Sequence, residues 1–260
     1  MRILYEDDCL LVCYKEAGLP VQQRSLTQPD LVSMLKNHIK EGGISSSVGG
    51  KAAGKGRGKG ESEPYLGIVH RLDQPVEGLL VFAKTKEDAA ALSAQLQQGS
   101  MHKQYRAKVR IAGEPLRSDQ LPLSGTLRDF LVKDARTNTS RIARPDEPNA
   151  KESILQYVIT ELLPEDLPQG DGPASANTLP SGPGRQTAVV KINLLTGRHH
   201  QIRVQFAHAL MPLAGDRKYG LPGERGPLAL CACTLTFVHP RTQEEMTFDL
   251  NHSLPPAAVK

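Results

Sequence analysis

Residues 70–80 read HRLDQPVEGLL, and this stretch organises the rest of the chain. Mostly apolar residues precede it at 66–69 and follow it at 79–82, so the pattern predicts a strand, a polar corner and a second strand. We expect Pro75 and Gly78 to form the corner. Asp73 would then project from a turn held by two buried strands, as a catalytic group at the mouth of a cleft must. The plainer interpretation is an aspartate that hydrogen-bonds its own turn.

Length and composition favour a soluble globular protein. A chain of 260 residues can bury a substantial core, as one large domain or two packed lobes. It has no apolar run of membrane length and no signal-peptide pattern, which predicts a soluble cytoplasmic protein without a membrane contact. The four cysteines lie in apolar, strand-like runs. We interpret them as reduced core thiols, because their spacing does not match a zinc knuckle.

The charge is mildly basic and unevenly distributed. A net charge of +4 and an isoelectric point near 8.8 are only a weak indication of nucleic-acid binding. Two local clusters are more informative, because closely spaced cations bind phosphates. They are Lys51, Lys55, Arg57 and Lys59, and then Lys103, Arg106, Lys108 and Arg110. With no tryptophan and 4% aromatic residues, a broad base-stacking surface is not expected.

Two helices are predicted on either side of the central corner. Thr27 is expected to cap the first, which ends at the Gly42-Gly43 pair. Thr85 is expected to cap the second, which ends at Gly99. Both predictions depend on a hydroxyl before, and a glycine after, residues at helical spacing.

Strand patterns occur at both ends and in the middle of the chain. Residues 3–14 predict a β-hairpin that turns at residues 6–8. Residues 104–111 alternate between basic and apolar side chains, with Tyr105 on the buried face. Tyr105 is then either a core residue or a ring presented to the cleft. Further strands are predicted at 154–163, 188–195, 228–238 and 246–250.

Three segments are predicted to be loops. Residues 42–63 are rich in Gly, Ser and Lys, and residues 164–186 are rich in Pro and Gly. The first is a basic loop that either follows RNA phosphates or is a solvated insertion. Residues 112–150 are rich in Pro, Arg and Asp and predict loops between short strands.

Residues 196–203 read TGRHHQIR and follow a predicted strand directly. We expect Thr196 to cap a helix that runs to about Leu210. Helical geometry places Arg203 at the edge of the apolar stripe, where it either holds a carboxylate or is an ordinary solvated arginine. His199 and His200 point to different faces of a helix, and no acidic residue is near, so a metal site is not predicted.

Several motifs in this chain resemble, in order, those of the RluA-type pseudouridine synthases. They are HRLD at 70–73, KQY at 103–105, TGRHHQIR at 196–203, GDRKYG at 215–220 and HPRT at 239–242. The resemblance spans roughly residues 3–250, apart from the two loop insertions near 42–63 and 164–186. It implies an α+β fold with a mixed, mostly antiparallel central sheet, flanking helices and a central catalytic cleft. We expect a single catalytic domain over residues 1–260, without the accessory RNA-binding domain that precedes it in many relatives.

The resemblance also implies an activity and a set of site residues. An RNA pseudouridine synthase isomerises uridine in tRNA or rRNA, with no cofactor and no metal, and we expect a monomer. Its target nucleotide leaves the base stack before reaction. The implied catalytic residues are Asp73, Tyr105 and Arg203, with Arg203 paired to Asp73 so that the carboxylate stays ionised. The implied RNA- or substrate-binding residues are His70, Arg71, Lys103, Arg198 and Ile202.

Three positions depart from the family pattern. Gln74 occupies a position where a basic residue is usual, and Glu77 one where serine is usual. Gln205 replaces a histidine that is common two residues after the helix arginine. These departures concern the choice of substrate more than the chemistry.

Two other functions fit parts of the pattern. A glycosidase-like hydrolase needs a second catalytic carboxylate, and Glu77 is the candidate inside the motif. A non-catalytic RNA-binding protein on the same scaffold is the other alternative. Retention of Asp73, Tyr105 and Arg203 together argues against it.

Overall fold

The computed structural model describes residues 1–22, 29–42, 63–112, 114–163 and 186–250. Almost all of the two predicted loop insertions therefore lies outside the described residues, as does the basic cluster from Lys51 to Lys59. Within the described ranges, no helix is both long enough and apolar enough to cross a membrane. The described chain divides into two compact units. Unit 1 comprises Met1–Lys103 and Ala232–Leu250, and unit 2 comprises Gln104–Cys231.

Unit 1 combines antiparallel strands with two helices. Its elements are β1 (Arg2–Glu6), β2 (Leu10–Lys15), α1 (Leu31–Lys40), β3 (Gly67–Ile68), β4 (Glu77–Ala83), α2 (Lys86–Gln98), the start of β5 (His102–Arg110), most of β10 (Leu230–Val238) and β11 (Glu245–Asp249). Strand β2 pairs with β1 and with β4, β3 pairs with β4, and β11 pairs with β10. The predicted N-terminal hairpin is confirmed.

The core of unit 1 lies around β2 and β4. Almost every residue of these two strands is buried, which explains why their sequences are nearly continuous apolar runs. Gly78 lies inside β4 rather than in the corner, so its predicted role as a corner residue is wrong. Its φ is +132°, and a Cβ there would clash with the carbonyl oxygen of Ala232. The glycine permits this close approach of β4 to β10.

The caps of the two helices differ in how well the sequence indicates them. Thr85 accepts a hydrogen bond from Asp88 N at 3.1 Å, and α2 ends at Gly99 in the left-handed conformation, as predicted. The cap of α1 is Asp30, which accepts from Ser33 N at 2.8 Å. The prediction of Thr27 as this cap is wrong, because the first helical residue is Leu31.

The end of β10 is covered by a side chain of α2. The Gln95 amide nitrogen donates to Val238 O at 2.7 Å, and its amide oxygen accepts from Val238 N at 2.8 Å. Val238 is opposite Glu245 of β11 on its other side. The glutamine therefore takes the place of a neighbouring strand at this residue.

Unit 2 contains the rest of β5 and a further helix. Its other elements are β6 (Leu123–Asp134), β7 (Thr139–Ala143), β8 (Lys151–Leu163), β9 (Thr187–Leu194) and α3 (Gln201–His208). The strands form an antiparallel sheet in the order β5-β9-β8-β6-β7. Tyr105, Ala107 and Val109 are buried on one face of β5, so its predicted alternation is confirmed.

Residues 112–150 differ from the prediction of loops between short strands. Strand β6 has 12 residues, of which only Leu131 is fully buried. A strand so exposed lacks the apolar alternation by which strands are recognised in a sequence. The α+β class and the mostly antiparallel pairing are confirmed.

Helix α3 begins four residues later than predicted, because its cap is His200 and not Thr196. Its cap position is His200, whose φ is +54°. Thr196 does not cap the helix; its hydroxyl donates to Gln201 Oε1 at 2.9 Å and accepts from Ile154 N at 2.8 Å. Thr196 therefore ties the loop before α3 to strand β8.

Candidate active site

Asp73 lies in unit 1, in a turn just before β4, and its side chain is partly exposed. Its carbonyl oxygen accepts from Val76 N at 3.0 Å, which closes the turn over Gln74 and Pro75. The predicted strand–corner–strand arrangement is confirmed by β3 and β4 on its two sides.

A buried lysine is hydrogen-bonded to the backbone of this turn. Lys15 is 0% exposed, and its ammonium donates to Leu19 O at 2.7 Å, Gln74 O at 3.0 Å and Glu16 O at 3.1 Å. Burial lowers the pKa of Lys15 to about 8, while the charges of Asp73 and Glu77 oppose the shift. Lys15 thus joins the loop after β2 to the turn that carries Asp73.

Gln74 strengthens the same connection. Its carbonyl accepts from Gly18 N at 2.8 Å, and its side-chain amide donates to Gly18 O at 3.0 Å. Gly18 has a φ of +87°, which favours glycine there. The residue that replaces the usual basic one is therefore a structural tie between two loops.

Glu77 begins β4 and is also tied to β2. The Tyr14 hydroxyl donates to Glu77 Oε2 at 2.6 Å. Glu77 is partly exposed and interacts electrostatically with Lys15, as Asp73 does. Two carboxylates of unit 1 thus lie within the electrostatic range of one ammonium.

The other predicted site residues of unit 1 have different environments. Arg71 is exposed. His70 is 8% exposed, and its Nε2 lies 3.5 Å from Val81 N. Burial lowers the pKa of His70 to about 3, and the charge of Lys103 adds to this effect, so His70 is neutral. Burial also lowers the pKa of Lys103.

Arg203 is a buried residue of unit 2 that binds a carboxylate. It is 4% exposed, and its Nε and Nη2 donate to the two oxygens of Asp216 at 2.8 and 2.6 Å. Burial alone would raise the pKa of Asp216, but Arg203 and two backbone amides hold it below its usual value. The guanidinium carbon lies 5.1 Å from the Tyr219 ring centroid.

This outcome bears on the predicted role of Arg203. The alternative of an ordinary solvated arginine is wrong, because the guanidinium is buried and paired in a two-pronged contact. Sequence reasoning did not select Asp216 as a partner, although the GDRKYG motif contained it. Asp73 belongs to the other unit, and its pairing with Arg203 stays a prediction.

A hydrogen-bond network surrounds the start of α3. The Tyr219 hydroxyl accepts from Ser140 N at 2.7 Å and lies 2.7 Å from His200 Nδ1, to which it donates. Burial, followed by the charge of Arg203, lowers the pKa of His200 to about 3, so the ring is neutral and can accept. His199 Nδ1 lies 2.9 Å from Ser140 Oγ. The network therefore links the start of α3 to β7.

Comparison with known proteins identifies the family. The family model for RNA pseudouridylate synthase matches residues 9–208. The chain belongs to this family. It is 30% identical, over 96% of its own length and 68% of the relative, to ribosomal large subunit pseudouridine synthase D of Zymomonas mobilis. It is 28% identical, over 100% of its length and 68% of the relative, to ribosomal large subunit pseudouridine synthase C of Haemophilus ducreyi.

Two further findings describe the extent of the likeness. A synthase D of Xylella fastidiosa is 29% identical over 85% of this chain but only 52% of its own length, so the chain spans about half to two thirds of such relatives. The solved structure of human RNA pseudouridylate synthase domain containing 1 has a TM-score of 0.67 at 20% identity, covering 96% of this chain and 83% of that one. The predicted family and fold class are confirmed.

Three further predicted site residues of this pseudouridylate synthase-family chain lie in unit 2. Tyr105 is buried in β5, opposite Ile192 of β9. Ile202 is buried in α3, whereas Arg198 is exposed and donates from Nε to Glu152 O at 3.0 Å. Their contacts with substrate stay predictions.

Gln205, which departs from the family pattern, has a structural role. It is fully buried, and its amide nitrogen donates to Asp129 Oδ2 at 2.8 Å and to Ser153 O at 3.1 Å. These bonds tie α3 to β6 and β8. The glutamine therefore supports the helix that carries Arg203.

One cluster with metal-ligand chemistry occurs among the described residues, and sequence reasoning missed it. Asp7, Cys9 and His239 of unit 1 lie within metal-binding distance of one another. However, His239 Nδ1 accepts from Thr242 N at 3.0 Å, and its Nε2 lies 2.7 Å from Asp7. Burial raises the pKa of Cys9 to about 11, so its thiol is protonated. The cluster fits a structural tie better than a metal site.

Proposed function

We propose that this chain is an RNA pseudouridine synthase that isomerises uridine to pseudouridine, with Asp73 as the catalytic carboxylate. The observation that carries the proposal is the Asp73 turn. A partly exposed carboxylate is held on a backbone that Lys15 and Gly18 fix by direct hydrogen bonds. Such a fixed acid suits a reaction in which the glycosidic bond is cut and the uracil rejoins through carbon.

Other residues have supporting roles in the proposal. Tyr105 packs against the base and assists proton removal, and Arg203 keeps Asp73 ionised. Arg71 is exposed and therefore accessible to RNA, either at a phosphate or at the place vacated by the flipped nucleotide. Arg203 also needs its contact with Asp216, because a buried guanidinium requires a paired charge at all times.

We propose ribosomal RNA of the large subunit as the first substrate to test. Relatives that match most of this chain are named ribosomal large subunit pseudouridine synthases. Transfer RNA is the second substrate class. Mapping pseudouridines in RNA from a strain that lacks the gene would separate the two classes.

The activity is tested by tritium release from RNA labelled at carbon 5 of uracil. We expect release by the parent protein and less than about a tenth of the parent rate from Asp73→Asn, since one proton-transfer or nucleophilic group typically contributes at least 100-fold. Asp8→Asn, which changes an exposed acid of the same unit, should behave like the parent.

The alternatives give different results in the same assay. Free uracil would identify a hydrolase, and RNA binding without tritium release would identify a non-catalytic RNA-binding protein. Rapid turnover by Asp73→Asn would remove Asp73 from the mechanism.

A further inference from the structure

Glu77 is an acid that the proposed chemistry does not use. It begins β4, four residues after Asp73, and it is partly exposed. Tyr14 fixes one carboxylate oxygen, Oε2, at 2.6 Å. No donor among the residues that the structure describes contacts the other oxygen, Oε1. The side chain is thus oriented by the protein and has an oxygen available for an external donor.

The environment of Glu77 decides which RNA group suits it. A carboxylate repels phosphates, so a contact with the RNA backbone is unfavourable. It accepts hydrogen bonds from base edges that carry amino or imino hydrogens. Guanine fits best, because its N1–H and N2–H lie side by side, so that one can donate to Oε1 and the other to the second lone pair of Oε2, beside the Tyr14 hydroxyl. Uracil offers a single N–H between two carbonyl oxygens, which a carboxylate repels.

We propose that Glu77 is a specificity-determining residue that accepts hydrogen bonds from the Watson–Crick edge of an unpaired guanine next to the target uridine. Unpaired bases of RNA loops are the usual place for such recognition. The inference rests on the proposed function, since it places the guanine beside the nucleotide on which Asp73 acts. Lys15 interacts electrostatically with both acids, which supports their common location.

A purely structural role predicts something different. If Glu77 serves only to hold Tyr14, its replacement changes stability and affects all RNAs equally. A base contact changes the ratio of rates between RNAs that differ at one nucleotide. This ratio is measured within one variant, so partial loss of folded protein cancels from it.

The experiment uses the full chain and hairpin RNAs in which one loop uridine is tritiated at carbon 5, and each neighbouring loop nucleotide is guanine, adenine, cytosine or unlabelled uracil. At one neighbouring position, we expect guanine to exceed uracil by at least about tenfold in kcat/KM for the parent, as for a two-pronged base contact. Glu77→Ser and Glu77→Gln should reduce this ratio below about threefold.

Two controls accompany these variants. Tyr14→Phe keeps the carboxylate but releases it, and should give an intermediate ratio. Glu87→Gln removes an exposed acid at the start of α2 and should leave the ratio unchanged. Dissociation constants of the same RNAs, measured at equilibrium, give the guanine preference of binding without turnover.

The outcomes separate the two proposals. Absence of tritium release from every RNA rejects the proposed function. A parent without a guanine preference, or a preference that persists in Glu77→Ser in rate or in binding, rejects the role of Glu77.

Discussion

The Asp73 turn of unit 1 and the Arg203 site of unit 2 are stabilised in opposite ways. Around Asp73, a buried ammonium donates to neutral backbone carbonyls, and the acid itself stays partly exposed. Around Arg203, a guanidinium and a carboxylate neutralise each other in a buried pair. The first arrangement fixes a backbone, whereas the second fixes a charged side chain.

This difference predicts how much stability each site loses when one of its partners is removed. Loss of a partner in the Arg203 site leaves a full charge buried, which is expensive. Loss of a partner near Asp73 leaves neutral carbonyls without donors, which costs less. Stability measurements on matched variants therefore test the comparison directly.

The largest effect is expected for Arg203→Met, at about 3–5 kcal/mol of the free energy of unfolding, because Asp216 is left buried and unpaired. Urea unfolding measures it. Arg217→Met, which removes an exposed neighbouring arginine, should change the value by less than about 0.5 kcal/mol. Equal effects of the two variants would contradict a buried pair at Arg203.

For Lys15→Met we expect the free energy of unfolding to fall by a smaller amount, about 1–3 kcal/mol, because the carbonyls of Leu19 and Glu16 lose their ammonium donor. Activity should fall with it, since the Asp73 turn loses its support. Lys40→Met, at the exposed end of α1, is the matched control. If Lys15→Met lost as much unfolding free energy as Arg203→Met, the two sites would not differ in how they are stabilised.

The pH dependence of Lys15 sharpens the same test. Its pKa is about 8 in the folded chain, below the ordinary lysine value of 10.5, so between these two pH values the unfolded state binds more protons. This group therefore adds stability as pH rises from 8 to 10.5, and that stability is lost as pH falls through 8. As the pH rises through this range, the free energy of unfolding of the parent should increase relative to that of Lys15→Met. The increase is at most about 1.4 kcal/mol per pH unit. A shift in the opposite direction would show that Lys15 is not desolvated.

The smallest loss of unfolding free energy, about 0.5–1.5 kcal/mol by urea unfolding, is expected for Tyr219→Phe. The variant removes one neutral hydroxyl that hydrogen-bonds to Ser140 N and His200 Nδ1. Tyr157→Phe is the control, since no hydrogen bond of its hydroxyl occurs among the residues described. If Tyr219→Phe matched Arg203→Met, the network rather than the ion pair would dominate unit 2.

Local patterns in the sequence predicted much of this fold. Thr85 and Gly99 bound a helix because a cap hydroxyl and a left-handed glycine act within one turn. The alternation around Tyr105 indicated β5 because one face of that strand is buried. Both signals are local in the sequence and need no distant partner.

The missed features depend on partners that are distant in sequence. Thr196 precedes a helix, but its contacts to Ile154 and Gln201 give it another role. Gly78 resembles a turn glycine until Ala232 approaches it. Arg203 was expected to hold a carboxylate, but only the folded chain identifies Asp216 as a partner.

The two hydrogen bonds between Gln95 and Val238 have a consequence for solubility. A strand end with an open N–H and C=O is a template for another chain, and such edges begin edge-to-edge aggregation. Because the glutamine amide satisfies both groups, no foreign strand can pair at Val238. Helix α2 therefore prevents edge-to-edge aggregation at Val238 by occupying its backbone N–H and C=O groups.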